Sequence, residues 1–384
     1  MKRTIVLLCC ALLAACASVP PAPDPARWFD DAAFAPPSRP PVKAADLFAL
    51  SEPMRRFIDR EGQTSARQTD PRRHLLDLLY QRHKLALDYD AEVTHTAAEA
   101  FDAHAGNCLS LVLMTAAFAK AMGLPLQYQS VAIDEAWSRS NGLDFASGHV
   151  NLLLDALPLR NGWDRALDTP LIVDFVPAAA LRGVRMRPLA ENTIVAMFMN
   201  NRAAEALASA RVDEAYWYAR DALRHDARFW AGYNTLGVVY LRHGQPARAQ
   251  ALFAEALHHE PENTKAMGNL VQALKAQGRD DEAARVAERL ARIEPVPPFR
   301  DFDAGRKAMQ AGDYALARTL FEREVRREPD YHEFHFWLAR ALFALGEIGP
   351  AREQLQLAFD SSTTAREQRI YAAKLDRLKA WQHQ

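Results

Sequence analysis

From Ala196 onward the chain repeats itself every 34 residues, and this period constrains its fold more than any other feature. The clearest unit runs from Trp230 to Asn263. In it Leu236, Gly237, Tyr240, Gly244, Ala249, Phe253, Ala256 and Pro261 set a pattern of large, small and turn-forming residues. In the same phase, Gly278, Ala283 and Pro295 mark the next unit, and Gly305, Gly312, Ala317, Phe321 and Pro329 the one after it. Leu338, Gly346 and Ala351 mark a fifth, and a degenerate first unit with Ala203, Ala215 and Ala222 starts near Ala196. Small residues at fixed places let two helices approach, and large ones fill the gap between them. Such units cannot bury an apolar face alone, so they must stack as a solenoid.

The pattern resembles the tetratricopeptide repeat. The resemblance implies five helix-turn-helix units over 196–365 and a solvated capping helix in 366–384 carrying Arg366, Glu367, Lys374, Asp376, Arg377 and Lys379. In that fold the first helix of each unit lines a concave wall. Family spacing puts Asn200, Asn234, Arg242, Lys265, Lys275, Arg306 and Arg340 on that wall. Cations without matched acids favour carboxylates, so the groove is expected to take an extended or acidic peptide of a protein partner. His332 and His335, like His258 and His259, lie inside repeat helices and lack the HExxH pattern of a zinc site, so they read as helix-face residues.

Upstream, residues 45–195 carry the chemistry. Helical spacing covers Phe48–Glu61 and His74–Leu87, and Thr96-Ala97-Ala98-Glu99 is a capping box. In Gly106-Asn107-Cys108-Leu109-Ser110, Asn107 reads as an N-cap and Cys108 as the first residue of an apolar helix. That helix runs to about Met122 and is stopped by Gly123 and Pro125. A helix N-terminus favours an anion, so a thiol placed there is a candidate nucleophile. The pattern then becomes strand-like over Leu126–Ile133, His149–Leu157 and Leu171–Val176. Asp134–Ser147, with Trp137 and Gly142, reads as a polar loop long enough to cover a site at the strand ends. A helix packed on an antiparallel sheet is an α+β arrangement.

Cys108, His149 in Gly148-His149-Val150 and Asp174 in Val173-Asp174-Phe175 follow one another in an order that resembles the transglutaminase-like branch of the papain-type fold, over about Tyr89 to Pro177. The fold class implied is an α+β transglutaminase-like domain followed by an all-α tetratricopeptide-repeat solenoid. The resemblance makes Cys108 the nucleophile and His149 its base, with Asp174 orienting the imidazole and stabilising its charged form. It implies amide hydrolysis or acyl transfer through one thioester. Asp155, Asp164 and Asp168 compete for the third place, because the gap after His149 is longer than in compact bacterial members. Asp174 is preferred because Leu171-Ile172-Val173 gives it a strand to stand on. Asn107 and Trp137 are candidates for the substrate cleft, and no side-chain donor for an oxyanion hole is recognisable.

The N-terminus opens with Met1-Lys2-Arg3, an apolar run from Ile5 to Leu13, and Leu13-Ala14-Ala15-Cys16. The charge, length and small-residue exit are those of a secretory signal. The tetrapeptide resembles a bacterial lipobox, implying cleavage after residue 15 and lipid on Cys16. Ala17 and Ser18 lack the aspartate that would retain such a protein at the inner membrane, so the outer membrane, facing the periplasm, is expected. Residues 16–44, rich in proline, read as a semi-rigid tether, with Trp28, Phe29 and Phe34 either docked or free. Cys9 and Cys10 leave with the signal, so Cys108 remains as an unpaired thiol. A formal net charge of −1 argues against a nucleic-acid partner. With no glycine-rich phosphate loop and no cysteine-pair metal site, neither cofactor nor metal is expected. The alternative to an enzyme is a non-catalytic protein-binding scaffold for cell-envelope assembly.

Overall fold

Local signals account for the elements nearest Cys108. The computed structural model describes residues 23–37, 42–62, 70–80, 87–90, 93–140, 143–156, 169–175, 181, 183–362 and 364–381. The signal segment, Cys16, Asp164 and Asp168 lie outside the described residues, as does the side chain of Trp137. The N-terminal helices are α1 (Ala44–Leu47), α2 (Glu52–Gly62), α3 (Pro71–Tyr80), α4 (Ala97–Ala103) and α5 (Cys108–Ala121). Helix α4 opens on the expected capping box: Thr96 Oγ1 accepts from Glu99 N, and Glu99 Oε2 accepts from Thr96 N. Helix α5 opens on Asn107, whose Oδ1 accepts from Ser110 N at 3.0 Å. It is buried from Leu109 to Ala119, so it threads the core instead of lying on it. Gly123, at φ +68°, turns the chain out of it.

Short strands β1 (Asp88–Tyr89) and β2 (Ala105–Gly106) pair in parallel, setting Tyr89 beside Gly106. The main sheet holds β3 (Leu126–Ser140), β4 (Leu143–Leu154), β5 (Leu171–Val173) and β6 (Met186–Leu189). Their order is β5-β4-β3-β6, and each neighbour is antiparallel. Val150, Leu152 and Leu154 of β4 turn into the core with α5. The arrangement is α+β, as expected.

The expected loop over Asp134–Ser147 is instead a hairpin arm. After a bulge between Val131 and Ala136, pairing resumes at Ala136 with Ser147 and continues to Ser140 with Leu143. That pairing outweighs the polar composition, and Asn141-Gly142 lie outside the described residues. The strand expected over His149–Leu157 therefore starts at Leu143, and the fourth strand, β6, was not expected at all.

Five helix pairs follow: α6 (Glu191–Ala208) with α7 (Val212–His225), α8 (Trp230–Arg242) with α9 (Pro246–His259), and α10 (Thr264–Lys275) with α11 (Asp280–Ile293). Then come α12 (Arg300–Gln310) with α13 (Tyr314–Arg327), α14 (His332–Ala344) with α15 (Ile348–Asp360), and a last helix, α16 (Ala365–Trp381). Gly244, Gly278, Gly312 and Gly346 close the first helix of units two to five at positive φ, between +69° and +82°. Gly237 and Gly305 admit the rings of Phe253 and Phe321, which a Cβ would meet at 2.5 Å. These contacts explain the 34-residue period in physical terms.

The structure decides an alternative that the sequence left open and shows one feature that was not expected. The tether is in part a packed strap: Phe34 is 4 % exposed and stacks on Tyr216 at 4.0 Å. Tyr240 O–H donates to Trp28 O at 2.7 Å, and Trp217 Nε1 donates to Ala35 O at 2.7 Å. Arg220 and Arg248 pair with Asp31 and Asp30, and Arg27 with Glu255. The strap thus lies across α7, α8 and α9, held by aromatic stacking and by charge.

The solenoid's core is also divided. One apolar cluster runs from Phe34 through the N-terminal domain into the third unit, ending at Ala273. A second, from Phe299 to Ala351, belongs to units four and five. Between them Glu294-Pro295-Val296-Pro297-Pro298 leads to Phe299 at φ +61°, and Ile293 and Val296 stay exposed. The repeats keep register in sequence without continuing one core. The β3–β4 arm bridges the gap, with Arg139 paired to Asp303 at 2.6 Å and its guanidinium 4.3 Å from the Phe299 ring.

Candidate active site and repeat groove

Cys108, His149 and Asp174 converge although they come from three elements. The thiol stands at the mouth of α5, close enough to the His149 imidazole to favour its charged form. His149, on β4 and 8 % exposed, holds Asp174 Oδ1 with Nε2 at 2.6 Å. With Nε2 committed to the carboxylate, Nδ1 is the ring nitrogen left for the sulfur. The second carboxylate oxygen accepts from Asn151 Nδ2 at 2.9 Å, so Asn151, two residues along β4, shares the work of orienting Asp174. Burial disfavours an imidazolium here. Asp174 and Cys108 outweigh it and raise the His149 pKa from 6.5 to about 9. An imidazole so placed is cationic near neutrality, as the partner of a thiol nucleophile should be.

Among the competing carboxylates, Asp155 accepts from Gln127 Nε2 at 3.0 Å, which gives it a separate partner at the far end of β4. Strand β5 is held in place by Arg72. Only 1 % exposed and ion-paired with Asp70 at 2.7 Å, it donates to Asp155 O at 3.0 Å and to Thr169 O at 2.8 Å. Those carbonyls end β4 and precede β5, so one buried guanidinium aligns the strands that carry His149 and Asp174.

Asn107, the candidate for the cleft, is half-buried and held through both of its polar atoms. Its Oδ1 also accepts from Ser110 Oγ at 2.9 Å, and its Nδ2 donates to Thr94 Oγ1 at 2.9 Å. Thr94 N in turn donates to Glu205 Oε1 of α6 at 2.7 Å. The first repeat therefore buttresses the N-cap of the Cys108 helix through two side chains. The side chain that the sequence did not reveal beside Cys108 is Tyr89, whose hydroxyl lies near the Cys108 main chain. Burial of that hydroxyl, with charge on Cys108 and Asp90 nearby, pushes its pKa up to about 12, so it stays protonated. Only the two-residue pairing of β1 with β2 brings Tyr89 there.

The seven expected groove residues divide. Asn200 is half-buried, with its Oδ1 without a partner among the described residues, and the half-buried Asn234 accepts through Oδ1 from Asn269 Nδ2 of the next unit's first helix at 2.9 Å. Arg242 and Lys265 already interact with neighbouring groups, and Lys275 is exposed at the end of α10. Arg306 and Arg340 instead converge on Trp337, at 5.1 and 4.1 Å from its ring centroid. His332 and His335 are structural: His332 meets Tyr371 and Glu367, and His335 meets Gln354 and Pro329 O.

Comparison with known proteins bears on the repeats. Residues 240–301 and 302–364 each match a family described as tetratricopeptide repeat. The TPR repeat-containing protein YvcD of Bacillus subtilis (strain 168) is 23% identical over 150 residues, 38% of this chain and 30% of that protein. The aligned stretch is thus less than a third of that relative's length. PilF of Pseudomonas aeruginosa matches 50% of this chain and 87% of its own, with 19% identity and a TM-score of 0.30. YrrB, described as a TPR protein with an unusual peptide-binding site, matches 47% of this chain and 92% of its own, with 19% identity and a TM-score of 0.25. The C-terminal half is an array of tetratricopeptide repeats, a class of protein–protein interaction scaffold.

Proposed function

We propose that the repeat array recruits a protein partner and that the N-terminal domain performs thiol-based acyl chemistry at Cys108, in a lipoprotein anchored through Cys16 to the outer membrane on its periplasmic side. The observation that carries the chemical half is the His149–Asp174 hydrogen bond at 2.6 Å with Cys108 beside the same imidazole. In this mechanism the thiolate attacks an amide carbonyl. The imidazolium gives its proton to the leaving amine, and the acyl group remains on sulfur as a thioester. Water or an acceptor amine then attacks, His149 takes its proton, and Cys108 is freed as an acid or a new amide departs. Hydrolysis and transfer share that intermediate and differ only in which acceptor reaches it.

A second reading has its own support. Resemblance to known proteins falls on the repeats, which favours a protein-binding scaffold whose cleft recruits a partner without turning it over; cell-envelope assembly is the role this reading assigns it. Iodoacetamide labelling of Cys108 separates the two readings. In the catalytic reading His149→Ala slows labelling at pH 6 far more than at pH 9, where an exposed thiol is largely ionised anyway. Equal labelling of wild type and variant at pH 6 leaves the scaffold. For the anchor, Cys16→Ser should release the protein from membranes in a fractionation experiment, and a variant that stays membrane-bound refutes it.

A further inference from the structure

At the distal end of the array, α12, α14 and α16 enclose a cleft of about 690 Å³. Its lining combines an aromatic floor, Phe336 and Trp337, with four cations: Arg306, Arg340, Lys374 and Arg377. No acidic residue lines it, and none of the four cations has an acidic partner among the described residues. The nearby acid Glu333 is engaged with Trp337 Nε1 and with Tyr331 O–H.

Three of the four cations rest beside rings instead of carboxylates. Arg306 and Arg340 flank Trp337, and Lys374 lies 5.3 Å from the Phe336 centroid. Crowding like charges over apolar surface is unfavourable in the absence of an anion. Burial and then Arg306 push the Arg340 guanidinium below its ordinary value. Two of the four come from α16, which by composition alone reads as a solvated cap and which in the fold closes the groove. Its register is set by Tyr371 and Leu375, buried against α14 and α15.

We infer that this cleft binds a short acidic peptide segment carrying a bulky apolar side chain, with carboxylates on the cationic rim and the apolar group on Phe336 and Trp337. The inference rests on the array's role as a protein-binding scaffold and specifies its partner. A guanidinium already held beside a ring can still pair with a carboxylate, with little further loss of side-chain freedom. An apolar floor beneath the cations favours a peptide over a bare inorganic anion, which would leave that floor empty.

The test is fluorescence anisotropy of the full chain in detergent with a fluorescein-labelled peptide, Asp-Glu-Glu-Phe-Leu-Asp-Glu-Asp, and its amide analogue with Asn and Gln throughout. The acidic peptide should bind, weaken as salt rises, and lose at least tenfold in affinity in Arg306→Gln/Arg340→Gln and in Lys374→Gln/Arg377→Gln. Tripolyphosphate should compete poorly. Because these side chains lie on the rim, circular dichroism should be unchanged in both variants. Absent binding of the acidic peptide overturns the inference, as does competition by tripolyphosphate as effective as by unlabelled peptide. Equal binding of the amide analogue by wild type and both variants also overturns it, while leaving the scaffold role intact, since the array would then take peptides elsewhere.

Discussion

Asp174→Asn preserves the size of the side chain after β5 and removes its charge. In the wild type, burial opposes a charged His149, yet the carboxylate at 2.6 Å and the Cys108 thiol raise its pKa from 6.5 to about 9. At about 1.4 kcal/mol per pH unit, that rise corresponds to roughly 3 kcal/mol in favour of the imidazolium. Because the folded-state value lies above the unfolded one, this stabilisation is complete below about pH 6.5 and is lost as pH climbs through about 9. In the variant only Cys108 opposes burial, and the His149 midpoint should fall by roughly two pH units. The assay is a carbon-13 NMR titration of histidine-labelled protein, with the His149 signal assigned by its loss in His149→Gln. A wild-type midpoint below pH 7, or an unchanged midpoint in Asp174→Asn, would refute the claim that Asp174 sets the charge of the base.

Three further outcomes follow from packing. Arg72→Met leaves Asp70 buried without its partner and two strand-end carbonyls without a donor, so it should destabilise the N-terminal domain by about 3–5 kcal/mol in urea unfolding. A loss under 1 kcal/mol would mean that the clamp is replaceable. Phe34→Ala removes a ring stacked on Tyr216 and should expose the strap to limited proteolysis near residue 34, at a cost of about 3–5 kcal/mol to its docking; an unchanged digestion pattern would show that the ion pairs hold it alone. Gly237→Ala drives a methyl group into the Phe253 ring and should cost about 1–3 kcal/mol, read as a lower midpoint of thermal unfolding. An unchanged midpoint would mean that the ring can retreat.

What the amino-acid sequence determined by itself is what contacts within one helical turn or one repeat can enforce. Asn107 and Cys108 mark a helix start because a cap bonds a backbone N–H three residues away. Thr96 and Glu99 close on each other over the same distance. The glycines and aromatics of the repeat recur because each unit solves the same packing problem against its neighbour. His149 and Asp174 were legible as candidates through their motifs, while their contact depends on the β4–β5 register and on Arg72 far upstream. Tyr89 carries no motif; a two-residue parallel pairing delivers it to Cys108. The strap was ambiguous because its rings suit either water or the faces of Tyr216 and Tyr240, and only the assembled repeats supply those faces. The divided core and the cationic cleft belong to the same class. Pro295, Pro297 and Pro298 keep the repeat spacing while interrupting the stacking, and Lys374 and Arg377 acquire a role only when α16 folds back over α14. Such features arise from surfaces that do not exist until distant segments have packed, so no local pattern encodes them.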